Sequence, residues 1–224
     1  KVINKPLDKA GDLLIDSPGV GFALRKAIEG LTSVCNDAAQ WSVRPDAIFV
    51  EFREAGHHEI KNHDDLDKLD LSEIDKVVGW LGAKYKGIAL VEGAGAGAAG
   101  APGLVVDIPA LITLNLRAIG EYAAYYGFDT TRQEERLFAF NVLGLASSPT
   151  DASKTLAMAQ LVRIAQDVAK KATWEQLEKS VFVKIIQEIA KTLGIRLTKA
   201  KLAQAIPMMG AAVGGGFNAY FTMK

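Results

Sequence analysis

Glu92 and Asp107 are the only charged side chains between Gly87 and Leu116. A carboxylate in such apolar surroundings has to be paired, protonated or bound to something, because an isolated buried charge is costly. Arg117 and Glu121 follow directly, four residues apart, the spacing at which side chains meet on a helix surface. Two accounts stand open. In one, Arg117 answers an acid and Asp107 caps a helix that starts near Pro109. In the other, Glu92, Asp107, Arg117 and Glu121 surround a ligand headgroup or a cation in an apolar pocket.

Other residues able to do chemistry are few. All three histidines, His57, His58 and His63, lie beside Glu59, Asp64 and Asp67. Imidazole with carboxylate suits a divalent metal, but the spacing matches no metal motif, so the expectation is a solvated acidic loop and no bound metal. There is no G-x-S-x-G and no Walker lysine motif. Cys35, the only cysteine, sits on an apolar helical stripe as an inert core residue. It leaves no intramolecular disulfide, which fits a reducing compartment. Gly95-Ala96-Gly97-Ala98-Ala99-Gly100 has the form of a dinucleotide fingerprint. That motif counts only between a strand and a crossover helix, and Pro102, Gly103 and Pro109 interrupt the place where the helix would run. No cofactor is expected. Tyr122, Tyr125, Tyr126 and Phe128 read as core and helix end rather than a base-stacking platform.

The elements that must position these residues are helices. Apolar residues recur at helical spacing over Leu24–Trp41. Arg44-Pro45 breaks the pattern, and Ile48-Phe49-Val50 is the best candidate for a short extended piece. The polar stretch from Gly56 to Asp70 reads as loop. Ser72, with Asp75 three residues on, resembles a capping box ahead of the stripe Ile74, Val77, Val78, Leu81 and Tyr85. Pro109 suits the first turn of a helix that ends near Tyr126, with Gly127 as its stop. Further helices are expected over Arg132–Leu145, from Asp151 to Lys171 and from Thr173 to Leu193, and a short one from Thr198. A small-residue helix follows Pro207. No strand alternates with these helices, so the fold expected is all-α: a single multi-helix, bundle-like domain over residues 1–224. At its centre a glycine- and alanine-rich helical hairpin packs against the C-terminal small-residue helix.

That expectation follows from the cost of glycine. Gly93, Gly95, Gly97, Gly100 and Gly103 crowd one segment, and Gly210, Gly214, Gly215 and Gly216 another. Each interior glycine disfavours a helix by about 1 kcal/mol relative to alanine. A chain keeping so many gains from close approach of backbones or from an apolar solvent. Leu202–Met223 carries no charge, with Gln204 and Asn218 its only amides, and is about long enough to cross a bilayer core. Pro207 and the glycines make it weak as a spanning helix. It reads either as a buried central helix on the Gly87 segment or as an insertion element beside a basic surface. Both readings bring the two segments into contact.

Charge sorts the remaining classes. The formal net charge is zero, whereas a nucleic-acid binder carries a basic excess, so no nucleic acid is expected. Asp46–Asp75 is acidic and Lys154–Lys201 basic; these are solvated faces or, for the second, a surface that meets anionic lipid. Residues 1–12 hold no apolar run of the signal-peptide kind. The chain opens on Lys1 rather than Met and closes on Lys224 directly after an apolar run, so continuation beyond Lys224 is expected.

From Val91 to Phe128 the sequence resembles a known family. Val91-Glu92-Gly93-Ala94 opens a Gly/Ala stretch, then come Asp107-Ile108-Pro109-Ala110-Leu111, Leu114-Asn115-Leu116-Arg117-Ala118-Ile119 and Tyr126-Gly127-Phe128-Asp129. The terminal Ile206-Pro207-Met208-Met209-Gly210, continuing to Phe217-Asn218, is similar to the same family's closing motif. These motifs, in this order, resemble the EcsC protein family, with the likeness carried from Ser72 onward. The resemblance implies a bacterial helical protein whose family takes its name from a gene beside a transporter operon linked to protein secretion. It brings no catalytic residue; Glu92, Asp107, Pro109, Asn115, Arg117 and Gly127 are motif positions without roles, and more chain usually follows the final motif.

Three functions are therefore weighed. The first is a non-enzymatic protein, cytoplasmic and peripheral to the inner face of the membrane, that associates with membrane or lipid through its two apolar segments. The second is an enzyme or a metal- or ligand-binding protein using Glu92, Asp107, Arg117 and Glu121. The third is an adaptor for a protein partner, tied to a transporter or secretion system.

Overall fold

The computed structural model describes residues 43–99, 103–130, 132–146 and 210–223, together with Phe22, Lys26, Glu29, Thr155 and Ala159. Seven helices occur among the described residues, and no strand. They are α1 (Pro45–Glu54), α2 (His63–Leu66), α3 (Leu71–Val78), α4 (Leu81–Ala98), α5 (Leu104–Tyr125), α6 (Gln133–Ala146) and α7 (Gly210–Thr222). The helices expected over Leu24–Trp41 (Lys26 and Glu29 apart), from Asp151 to Lys171 (Thr155 and Ala159 apart), from Thr173 to Leu193 and from Thr198 lie outside the described residues, as do Cys35 and Pro207.

Three local expectations are corrected. Ile48-Phe49-Val50 is helical, because Pro45 occupies the first turn of α1. Proline there loses no hydrogen bond that the helix needs, and its fixed φ suits the first turn. Ser72 does not cap: α3 starts at Leu71 with Asp70 at the N-cap and no side-chain cap bond, and the Glu73 and Ile74 amides donate to the Asp70 carbonyl. Asp107 does not cap a helix at Pro109 either. α5 starts at Leu104, so Pro109 lies inside it, where it cannot donate to the Val105 carbonyl. Burial of the apolar Ile108, Leu111 and Ile112 on that stretch offsets the proline's cost of about 3 kcal/mol. The Gly56–Asp70 stretch is mostly turns, as expected, around the single turn of α2.

The chain divides into two compact units, and α4 and α5 each contribute to both. The described part of the first, the α1 unit, comprises α1 to α3, the first turn of α4 up to Tyr85, and the chain from Thr113 through α6. Its core gathers Ile48, Phe49 and Phe52 of α1, Ile60, Leu66 of α2, Ile74 and Val78 of α3, Leu81 and Tyr85 of α4, and Ala118, Ala124 and Tyr125 of α5. Phe52 packs on Tyr125 with ring centroids 5.9 Å apart. Gly127 ends the α5 segment with φ +85°. A Cβ there would also stand 2.8 Å from Asp67 Oδ1, so both conformation and space call for glycine.

The second, the α7 unit, holds Lys86–Ile112 and α7 among its described residues. Buried positions on α4 recur every four residues, at Leu81, Tyr85, Ala89, Gly93 and Gly97. In the α7 unit this stripe narrows to alanine and glycine, and α7 lies against it. A Cβ on Gly93 would overlap the Gly214 carbonyl oxygen and the Asn218 amide, coming 2.6 Å from Asn218 Cγ. A Cβ on Gly215 would stand 2.8 Å from the Leu90 carbonyl oxygen. The two small-residue segments therefore touch backbone to backbone, with glycine on each side of the contact.

Neighbouring glycines of α4 are not equivalent. Gly95 is exposed and nothing lies within 4 Å of a Cβ placed on it. Gly93→Ala is predicted to destabilise the protein by about 2 kcal/mol or more, since an added methyl without space forces the backbones apart. Gly95→Ala is predicted to stabilise by about 1 kcal/mol through helix propensity alone. Urea unfolding of the two variants checks the opposite signs.

Candidate functional site

The four polar residues singled out in the sequence fall into two groups, one in each unit. In the α7 unit, Asp107 is 1% exposed and Asn218 0%. Asn218 Nδ2 donates to Asp107 Oδ1 at 2.9 Å and to Glu92 Oε2 at 3.4 Å. One amide group thus joins carboxylates from α4 and α5, lying 126 residues beyond Glu92 and 111 beyond Asp107 along the chain. The orientation of the amide follows from its partners, since its carbonyl oxygen in the same place would face two anions. Glu92 and Asp107 also engage other groups. Gly93 makes the arrangement possible, because the space a side chain would fill there is occupied by the Asn218 amide.

In the α1 unit, Glu121 of α5 receives Lys84 Nζ at 2.9 and 3.0 Å and the Tyr85 hydroxyl. Lys84 Nζ also stands 5.0 Å from the Trp80 ring centre, a cation–π distance. Arg117 is exposed, one turn before Glu121, and its charge acts on the Tyr85 hydroxyl. Ten residues of α5, about 15 Å of axial rise, separate Arg117 from Asp107 along the helix. The structure therefore brings Glu92 to Asp107, and Arg117 to the neighbourhood of Glu121.

Two more tyrosine–carboxylate pairs tie α5 into the α1 unit: the Tyr125 hydroxyl donates to Glu51 and that of Tyr126 to Asp75. Burial, then the hydrogen bond to Glu121, pushes the Tyr85 hydroxyl pKa well above the usual phenol value, with Arg117 opposing. Burial and then the Glu51 bond do the same at Tyr125. The Asp75 bond, with some burial, pushes Tyr126 up to about 12. All three are structural anchors, Tyr85 and Tyr125 kept protonated by burial and then by the acid each bonds, Tyr126 by Asp75 first.

The histidines do not converge. His63 sits edge-on to Phe49 with centroids 5.2 Å apart, His57 lies 3.8 Å from Glu59 and edge-on to Phe52, and His58 is exposed. Among the described residues no group of three or more His, Cys, Asp or Glu is placed to hold a metal. An apolar cavity of about 340 Å³ lies beside α5 and α6, lined in part by Ile119, Tyr122, Tyr126, Phe138, Ala139 and Val142. Its walls are almost wholly carbon and offer little to orient a ligand.

Asn218 is the residue of this junction least visible from sequence. The signal that marks it is the one that marked Glu92 and Asp107: a polar side chain stranded in a charge-free run.

What the fold and this junction define is an all-helical protein whose small-residue helices close around two acids and an amide. Glu92, Asp107 and Asn218 each lie in one of the motifs quoted above. The EcsC protein family matches residues 4–224, and the chain belongs to that family. It is 30% identical over 169 residues to Protein EcsC of Bacillus subtilis (strain 168), covering 75% of this chain and 66% of that protein. It is 25% identical over 194 residues to Uncharacterized protein YdbA of the same organism, covering 86% of this chain and 69% of the relative. The match thus spans about two-thirds of each relative's length. No solved structure matches the chain.

Asn218→Leu keeps the volume but leaves two carboxylates without their shared donor. It is predicted to destabilise by about 3 kcal/mol, as expected when a buried charged group loses its hydrogen-bond partner; urea unfolding at pH 7 measures it. The tyrosines give a pH signature. A phenol titrates near 10 in the unfolded chain and higher in the folded one, so their contribution is complete below about pH 10 and is lost as pH rises through the folded values. Urea midpoints are predicted to fall from pH 9.5 upward (about the foot of the unfolded titration). Tyr125→Phe is predicted to flatten the decline while lowering stability at pH 8.

Proposed function

We propose that this protein binds a lipid surface peripherally, as a binding protein rather than an enzyme, through apolar side chains of the α7 unit. The observation that carries this reading is the apolar residues exposed there. Ile88, Leu90 and Val91 of α4 face outward, Val91 being 73% exposed, as do Val106 of α5 at 67% and Tyr220 of α7 at 64%. Ile88 and Val91, three apart, are neighbours on one helix face. The other exposed positions from Gly87 to Ala98 on that helix are uncharged, and exposed Lys86 stands just before them.

A contiguous exposed apolar patch marks an interaction site, and Ile88 and Val91 on one face of α4 support such a patch here. A helix lying in the interface needs a modest apolar face with cations beside it, not a spanning length. No helix among the described residues is long and apolar enough to cross a membrane, which favours surface attachment over insertion. The basic run of the sequence, Lys154–Lys201, supplies charge that anionic headgroups attract.

Co-sedimentation with liposomes of phosphatidylcholine, with and without phosphatidylglycerol, tests the proposal at low salt. The protein is expected in the pellet with the anionic liposomes. Val91→Glu is expected to weaken binding about tenfold, since withdrawing one buried apolar side chain costs at least ~1.5 kcal/mol. It should leave the far-UV circular dichroism unchanged, Val91 being exposed. A protein that stays in the supernatant with both compositions rules the reading out.

A further inference from the structure

We propose that the apolar cavity beside α5 and α6 is a binding site for one single-chain amphiphile, whose hydrocarbon chain it takes in. The site lies within the α1 unit. It goes beyond the lipid-surface reading and does not depend on it, since that reading uses side chains of the α7 unit.

The cavity follows from the spacing of its walls. Ile119, Tyr122, Ala123 and Tyr126 line it from the end of α5. Glu135, Phe138, Ala139 and Val142 line it from α6. Each set is spaced i, i+3, i+4, i+7, which is one helix face. Alanine stands at the i+4 place of both. Interiors are ordinarily filled by interdigitating side chains; here two methyl groups leave about 340 Å³ open.

The walls are held rather than free to close in. The Tyr126 hydroxyl donates to Asp75 of α3, which holds its ring. Past α5 the Gly127 amide donates to the Ala124 carbonyl at 3.2 Å and the Phe128 amide to the Ala123 carbonyl at 2.9 Å, the paired bonds of a glycine-terminated helix end. That turn brings Phe128 to the cavity it lines.

Two observations point to a hydrocarbon occupant. Phe128 and Phe138 line the cavity yet are 52% and 37% exposed, so rings of a kind that folding buries are left open to solvent at this place. The polar ends of the wall residues are directed elsewhere. Tyr126 bonds Asp75, Glu135 engages another group, and the Tyr122 hydroxyl stands 3.1 Å from the Cβ position of Gly82 in α4. A ligand rich in polar groups would find no partners there, whereas an alkyl chain needs none. The volume is at the small end of the roughly 300–1,000 Å³ of ligand pockets, room for one chain rather than the two of a phospholipid. The exposed rings mark the opening, where the polar end of the amphiphile stays in water.

Isothermal titration calorimetry with decanol, kept below its solubility limit, tests the site, with thermal unfolding in the same buffer. Saturable one-to-one binding and a raised Tm are expected. Ala139→Leu puts a larger side chain into the cavity and is expected to weaken decanol binding about tenfold or more, since each methylene it displaces carries a share of the affinity. Should that variant fail to fold, nuclear Overhauser contacts in the wild-type protein give the answer: decanol chain protons are expected against the methyls of Ile119 and Val142. The proposal is overturned if decanol neither binds nor raises Tm, or if Ala139→Leu binds it as the wild type does. It is equally overturned if the chain contacts only methyls elsewhere, such as those of Ile88 and Val91. Dioctanoylphosphatidylcholine competing as strongly as decanol itself also overturns it, because the site then takes a two-chain lipid.

Discussion

The contact of α4 with α7 depends on the absence of side chains at Gly93 and Gly215. With no Cβ at Gly93, the α7 backbone at Gly214 comes against α4 and Asn218 reaches between two helices. The carboxylates of Glu92 and Asp107 then share one donor. Close packing of helices and satisfaction of buried charge are thus one arrangement rather than two. Glycine in a helix costs propensity, and here the return is a polar junction that a larger residue would exclude.

The two units use different means to the same end. The α1 unit is held by bulky groups, with Phe52, Tyr85, Tyr125 and Leu66 filling its interior, and its acids are answered by phenol hydroxyls and by Lys84. The α7 unit buries little bulk on its α4 stripe and gains instead from backbone proximity. α5 serves both, with Asp107 near one end and Glu121 and Tyr125 near the other. Polar residues that look like one cluster along the sequence are therefore distributed by the length of that helix.

Several features were legible because they are local. Helical periodicity around Ile74, Val78 and Tyr85, the glycine stop at Gly127, and the rejection of a dinucleotide fold from Gly95–Gly100 all depend on residues a few positions apart. Ile48-Phe49-Val50 was misread as extended because a proline that ends one helical pattern can also start the next helix at its first turn, and burial of Ile48, Phe49 and Phe52 on α1 shows which follows. Pro109 was placed at a helix start for the same reason, whereas packing of the preceding turn extended the helix past it. Arg117 looked like the partner of a buried acid. Its side chain instead acts on the Tyr85 hydroxyl beside Glu121, a placement set by which helices pack around that end of α5.

By itself the sequence determined that the chain is helical, that small residues concentrate in two segments, and that Glu92 and Asp107 are stranded in apolar surroundings. Tertiary structure alone decided that Gly93 rather than Gly95 takes the contact, and that Asn218 is the group reaching both acids. The reason lies in how helices pack. Composition and periodicity describe one helix at a time, while the pairing of side chains across helices depends on their mutual rotation and crossing, which is settled only when the cores close.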